Sequence, residues 1–585
     1  MSGQSTQPEA RTRVSRFTVD QDHPNYKWVA LSNTTLGVLM ATINSSIVII
    51  SLPDIFRGIK LDPLQPGNVS YLLWILMGFL LVTAVFVVTL GRLGDIYGRV
   101  KIYNLGFVVF TLASIALAFD PATGGAGAMW LIIWRVVQGI GAAMLFANST
   151  AILTDAFPSN RRGFALGINQ VAAIAGSFIG LIVGGLLAPV NWRLVFFISV
   201  PFGIIGTIWS YRSLRETSAR TPARIDWWGN ILFAVGLTAI LAAITYGIQP
   251  YGGNNMGWTN PWVLAGLIGG AVLLAIFCLV EARIAEPMFD LALFKIKAFT
   301  AGNIAGLLAS VSRGGLQFML IIWLQGIWLP LHGYTFEKTP LWAGIYLLPL
   351  TVSFLIAGPL SGFYSDRFGA RTFATGGLIV VALSFLGFLL LPTDFSYWAF
   401  AGLLVLNGIG SGLFSSPNTT AIMNSVPANR RGAAAGMRGT FFNAGTSLSI
   451  GVFFTMMIIG LSSTLPQALT SGLQAHGVSP DAAASIGNQP PVGSLFAAFL
   501  GYNPIGTLLG AQPASATQGA DLNSLTSKEF FPQLISAPFH HGLVIVFSVA
   551  IIMSLIGAVA SLFRGSRYVH VEPATAPATD AKVSV

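Results

Sequence analysis

Charge is scarce in this chain of 585 residues. Lys, Arg, Asp and Glu supply 9% of it, 54% is hydrophobic and the mean hydropathy is +0.71. Soluble domains carry roughly 25% charged residues. So few charges cannot cover so much apolar surface in water, which excludes an ordinary soluble fold and leaves lipid as the solvent. Cysteine is nearly absent. Cys278 stands alone in an apolar run, so it has no partner for an internal disulfide, and the six histidines show no metal-site spacing. His540-His541 alone makes no metal site, and neither metal nor cofactor is expected. No GxxxxGK[ST] run exists to hold ATP, and Gly139-Ile140-Gly141 lies inside an apolar segment rather than after a strand. No Ser/His/Asp set suggests hydrolysis, so the expectation is a protein that is not an enzyme. Residues 1–27 lack the apolar core of a cleaved leader, and the first span is expected to be the insertion signal.

Long apolar runs are what the sequence has in abundance. A bilayer core of about 30 Å takes roughly 20 apolar residues per helix. Such spans lie near 28–52, 70–90, 102–119, 129–152, 164–187, 194–211, 229–248, 261–280, 298–324, 341–363, 372–391, 397–422, 434–460 and 539–563. The 65 glycines and 30 prolines fit this picture, since both are commoner in membrane helices than in soluble ones. The net charge of +10 does not indicate nucleic acid, because the basic residues sit in short connections between spans. Fourteen spans put both termini on one side. The segments on that side hold 24 of the 31 basic residues, and the positive-inside rule makes it the cytoplasm. A multi-pass protein of the inner (cytoplasmic) membrane is expected, with cytoplasmic tails at 1–27 and 564–585.

An internal repeat organises the chain. Gly91, Asp95 and Gly98 of GRLGDIYGRVK recur as Gly362, Asp366 and Gly369 of GFYSDRFGART, 271 residues on. Gly139-Ile140-Gly141 recurs as Gly408-Ile409-Gly410. Pro158, Asn160, Arg161, Arg162, Gly163 and Gly167 recur as Pro427, Asn429, Arg430, Arg431, Gly432 and Gly436, all 269 on. Residues 28–211 and 298–563 are thus expected to be two six-helix halves in the same orientation, with two helices (229–280) inserted between them. Parallel six-helix repeats build alternating-access transporters, whose substrate site lies at the repeat interface. The segment 461–538 reads as a long external loop, partly helical.

These residues resemble the major facilitator superfamily, and within it the fourteen-helix drug:proton antiporters of the EmrB/QacA type. GRLGDIYGRVK is similar to the signature between the family's second and third helices. RVVQGIGAAM (135–144) resembles the fourth-helix signature of proton-coupled exporters, and GSFIGLIVGG (176–185) the fifth-helix antiporter signature. WRLVFFISVP (192–201) and Asp226-Trp227-Trp228-Gly229 are also typical. The resemblance implies an all-α membrane fold of two six-helix bundles plus two inserted helices. Two departures stand out. Leu181 occupies a place where the family has proline. Asn44, which cannot titrate, replaces the usual first-helix aspartate.

Several residues carry mechanism in this reading. By the family's pattern Asp95 and Arg99 latch the cytoplasmic side, with Asp155 as an ion-pair partner of Arg99 and Asp95 as a cap for a neighbouring helix. Gly91, Gly98, Gly362, Asp366 and Gly369 complete the gate. Arg135 and Arg313 fall inside spans, where an arginine is functional by default because burying its charge in lipid is costly. Gln138 shares a face with Arg135. Asn148 and Asn169, with Gln170, Asn303, Gln317, Asn407, Asn418 and Asn443, hydrogen-bond either a ligand or another helix. Gly176, Gly180, Gly184 and Gly185 form a small-residue face for close packing. No Asp or Glu lies deep in a span, so Asp54 at the outer end of span 1 joins Asn44 as a candidate for the proton pathway. The expected function is a multidrug or metabolite exporter coupled to protons, handling small amphipathic solutes. A facilitator or differently coupled exporter of an anionic metabolite or lipid is the alternative, suggested by Asn44, Leu181 and Arg313. A non-transporting scaffold or sensor is disfavoured by the two gate motifs. Oligomeric state is not legible.

Overall fold

The computed structural model describes residues 25–564 except 63, 64, 66, 159, 160, 217–225, 285, 286, 288, 428, 429, 502, 514–516 and 518; for 162–164, 366, 431 and 432 it describes backbone only. The expected terminal tails therefore lie almost wholly outside the described residues.

Fourteen described helices are long and apolar enough to cross a membrane. In the N-terminal half these are α1 (Tyr26–Gly58), α2 (Asn68–Tyr97), α3 (Arg99–Ala118), α4 (Gly124–Ala156), α5 (Ala165–Leu187) and α6 (Leu194–Ser213). The inserted pair is α7 (Trp227–Gly247) and α8 (Pro261–Glu281). The C-terminal half has α9 (Lys297–Leu331), α10 (Thr339–Ser365), α11 (Ala370–Leu390), α12 (Tyr397–Asn424), α13 (Ala433–Ala475) and α14 (Phe530–Leu562). Each expected span is present. Most helices outrun the hydropathy signal by a few residues, because capping continues a helix past its apolar stretch. Asp226 caps α7 by accepting from Gly229 N, and Asn260 caps α8 from Trp262 N with Pro261 in the first turn. The largest difference is at 461–538. This is not one loop: α13 runs on to Ala475 and α14 begins at Phe530, and between them lie short helices at Pro480–Gly487, Pro491–Phe499, Ile505–Gly510 and Leu522–Leu525.

The repeat seen in sequence is a repeat of contacts. A Cβ at Gly141 would lie 2.7 Å from Phe110 N and 3.0 Å from Gly106 O, so α3 and α4 touch backbone to backbone. Gly410 stands in the same relation to α11, at 2.8 Å from both Val381 N and Gly377 O. Gly139 faces Phe79 O on α2, and Gly408 faces Leu350 O on α10. Gln138 Nε2 donates to Ser114 Oγ at 2.8 Å, and Asn407 Nδ2 donates to Ser384 Oγ at 2.8 Å. Gly98 (φ 114°) breaks α2 from α3, as Gly369 (φ 90°) breaks α10 from α11. Both need the positive φ that glycine reaches without strain.

The inserted helices pack on each other where a Cβ at Gly270 would come within 2.7 Å of Gly236 O. Inward, α7 is tied to α2 by the hydrogen bond from Thr89 Oγ1 to Asn230 Oδ1. A Cβ at Gly451 on α13 would meet Ile244 of α7. The inserted pair thus flanks the line where the two halves meet.

Candidate transport site

The ends of the bundle differ. At the end where α5 finishes and α10 begins, the halves touch directly: a Cβ at Gly185 would lie 2.6 Å from Leu341 N, and one at Gly344 would lie 3.2 Å from Leu181 O. Nearby, α9 is wound as a π-helix over Leu324–Trp328, and Gln325 Nε2 reaches across to Ile50 O of α1 at 3.4 Å. π-turns concentrate at functional sites, yet composition gives no sign of this one, and sequence reading missed Gln325.

Toward the other end, which carries the Gly98 and Gly369 turns, a cavity of about 120 Å³ opens between α9, α11, α12 and α13, with Gln170 of α5 facing it from the other half. It runs from Arg313, sixteen residues into α9, to Ile422, close to the last residue of α12. Sixteen helical residues span roughly 24 Å, so the cavity extends from near mid-membrane to this end. Of the expected pathway residues, Arg313 lines it, together with Gln170, Asn303, Asn407 and Asn418. The Arg313 guanidinium lies over the Phe354 ring, 4.5 Å from its centroid. Arg438 of α13 also lines the cavity, though its position looked like a cytoplasmic basic residue. Its place four residues inside the thirteenth span was the signal available.

Arg135 does not line this cavity. It is 1% exposed, inside the N-terminal half. One guanidinium nitrogen donates to Asn44 Oδ1 at 2.6 Å and to Gln138 Oε1 at 2.8 Å, Nε donates to Ile75 O at 3.2 Å, and the group lies 4.4 Å from the Phe79 centroid. Asn44 Nδ2 donates onward to Ser199 Oγ at 3.2 Å. The network joins α1, α2, α3, α4 and α6 with no carboxylate in it. Asn148 and Asn169 also join helices: Asn148 Nδ2 donates to Leu90 O and Met144 O, and Asn169 Nδ2 to Ser149 Oγ at 2.8 Å. Asp54 sits at the closed end, buried and paired with Arg57 at 2.6 Å.

The gate residues make a compact ionic group. Arg99 Nε meets Asp95 Oδ1 at 2.8 Å, and Arg99 Nη1 meets both oxygens of Asp155 at 2.7 Å. All three belong to α2, α3 and α4, so this group braces one half and does not bridge the two. The expected helix cap is not Asp95. Glu216, just past α6, accepts from Arg99 N at 2.7 Å and Val100 N at 3.2 Å at the start of α3, where negative charge is favoured. Sequence reading missed it because it is distant in the chain. Gly91 and Gly362 are packing positions, against Ala147 and Ser416. The Asp366 side chain lies outside the described residues. Gly176, Gly180 and Gly184 lie against α1, with a Cβ at Gly180 only 2.5 Å from Ile43 O, whereas Gly185 faces α10.

A family model for the Major Facilitator Superfamily matches residues 34–312 and 291–450. The chain is 29% identical over 455 residues to the riboflavin transporter RibZ of Clostridioides difficile, covering 77% of this chain and 92% of that protein. It is 27% identical over 538 residues to the tetracenomycin C resistance and export protein of Streptomyces glaucescens, covering 92% and 91%. Among solved structures, an inward-facing, unoccupied bacterial homologue of the human lysosomal transporter Spinster has the same fold, with TM-score 0.56 and 15% identity over 92% of this chain and 98% of that one. With its repeated halves and inserted pair, the chain belongs to the Major Facilitator Superfamily as a fourteen-helix, multi-pass membrane transporter.

Proposed function

We propose that the chain is a secondary active exporter that moves amphipathic organic solutes by alternating access, in exchange for protons. One observation carries this: the halves meet at one end while a cavity of mixed aromatic and amide lining reaches the other. A rocking motion of one half on the other exposes such a cavity to each side in turn. The basic imbalance of the connections supports placing the cavity mouth and both termini in the cytoplasm. That orientation has the transporter loading from inside, and the export function named for the Streptomyces relative supports the same direction. Asp54, buried at the closed end, is the carboxylate we assign to proton exchange. Asn44 in place of a titratable residue favours a second reading, an exporter coupled otherwise.

The test uses purified protein in proteoliposomes with an imposed pH gradient and a panel of lipophilic dyes. Uptake that rises with the gradient and falls on its collapse is expected. Movement indifferent to the gradient overturns proton exchange, and no movement of any dye by demonstrably folded protein overturns export.

A further inference from the structure

The cavity is one-sided in charge. Arg313 faces it with an aromatic ring on one side and no hydrogen-bond acceptor or carboxylate recorded among the described residues. Among the described residues Arg438 reaches Thr419 Oγ1, at 3.4 Å, and its buried Nε has no hydrogen bond. Behind the wall, Arg564 at the end of α14 is buried. It donates to Asn418 Oδ1, itself on a cavity-lining residue, while its Nε and Nη1 have no partner among the described residues. No Asp or Glu is among the described lining residues. The contrast with Arg135 is informative: that arginine is more deeply buried, yet acceptors satisfy it on several sides and it does not line this cavity. A buried cation left unmatched is strongly unfavourable. Arg564 is buried with two unpaired nitrogens, and Arg313 and Arg438 are half-buried against the cavity with little or nothing to accept from them among the described residues; together they make a site whose missing component is an anion.

The rest of the wall states what the anion is attached to. Phe385, Phe414, Phe441 and Phe442 supply flat apolar surface. We infer that the cavity binds an anionic amphiphile, a carboxylate, sulfonate or phosphate group on an aromatic or aliphatic body, with the acid held by Arg313 and Arg438. The guanidinium fork suits such groups, which accept two parallel hydrogen bonds. Asn418, held by Arg564, positions that end of the wall. That the bound anion is cargo rests on the exporter reading above.

The test is a charge series on one body: 1-pyrenebutyrate, 1-pyrenebutanol and 1-pyrenebutylamine, titrated by tryptophan-to-pyrene energy transfer into purified protein in phosphatidylcholine nanodiscs. The acid is expected to bind about tenfold or more tighter than the alcohol, the worth of a charge-assisted hydrogen bond, and the amine weakest. Arg313→Gln and Arg438→Gln should each remove most of that preference while leaving alcohol binding, which also reports that they fold. Arg313→Lys should restore part of it. An amine that binds as well as the acid overturns the site, as do Gln variants that weaken acid and alcohol equally. Should neither Gln variant fold, the charge series on the unaltered protein decides. Repeating the titration with phosphatidylglycerol in the disc separates sources: Arg313-dependent competition assigns the anion to a lipid headgroup, and its absence to a soluble acid, both with the site intact. Selective binding of the acid without translocation of any of the three compounds sinks the exporter reading and leaves the site standing.

Discussion

At the residue scale, Arg135 and Arg313 put one residue type in two different settings. Each is an arginine inside a span, and the sequence alone marks both as functional. The Arg135 guanidinium is bonded to Asn44, Gln138 and the Ile75 carbonyl. Arg135→Ala would leave Asn44 Oδ1 and Gln138 Oε1 buried without that donor, at about 1–3 kcal/mol each. A clear fall in thermal midpoint together with lost transport is the expected outcome, read by thermal unfolding in detergent and by proteoliposome uptake. Unchanged stability would show that the network relaxes without it. Asn44→Asp would place a carboxylate against the same guanidinium. It should pair there and make transport depend on pH over a range where the parent does not, and an identical pH profile for both proteins counts against a coupling role for this position. Of the amide partners of Arg135, Gln138 was legible as a neighbour on its helix face, and Asn44 only as a departure from the family's first-helix aspartate. Ser199 and Ile75 were not, because no local pattern reports contacts across helices.

At the element scale the repeat constrains most. Four glycines, Gly106 with Gly141 and Gly377 with Gly410, let one helix pair in each half meet at backbone distance. Gly141→Leu and Gly410→Leu should each destabilise the protein by about 1–3 kcal/mol or more, since neither site has room for a side chain. Gly376→Leu, beside Gly377 but with open space where its Cβ would go, is the control and should leave the melting temperature nearly unchanged. Equal melting for all three variants would deny the packing role. The sequence made Gly141 and Gly410 visible as a repeat because backbone contact tolerates no substitute, while their partners Gly106 and Gly377 were not singled out. It was least informative over 461–538, where apolar and small residues build helix extensions and short helices together. There the hydropathy signal stops at 460 while the α-helix continues to Ala475. The Leu324–Trp328 π-turn was invisible for a related reason: its residues are ordinary helix formers, and the extra residue per turn is set by contacts across the halves.

At the scale of the whole molecule, closure at one end rests on few contacts. Gly185 against Leu341, Gly344 against Leu181 O, and Gln325 to Ile50 O are among them. Gly185→Trp should wedge α5 from α10 and favour the opposite opening. Spin labels at Ala188 and Pro340, on a Cys278→Ser background, should then report a longer distance than in the parent. No change in distance would show that the closed end is held elsewhere. The Asp95–Arg99–Asp155 group lies within one half, so it travels with that half as a unit during such a motion. Exposed pairs of this kind are each worth about 1 kcal/mol or less, and Asp155→Asn should alter the balance of states more than overall stability, as seen in the same spin-label distances.

The unmatched arginines of the C-terminal half carry a consequence for the energy source. A cell interior is electrically negative, so an anion leaving it moves down the membrane potential, gaining about 2.3 kcal/mol per charge for each 100 mV. A carrier whose cavity holds a negative cargo on fixed cations draws on that field directly and has less need of a titrating carboxylate deep in its first helix. Efflux of 1-pyrenebutyrate driven by a valinomycin-clamped potassium potential, with pH equal on both sides, would be its signature. This is the second reading, an exporter coupled otherwise than to protons, and on it Asn44 is the residue expected where voltage does the driving.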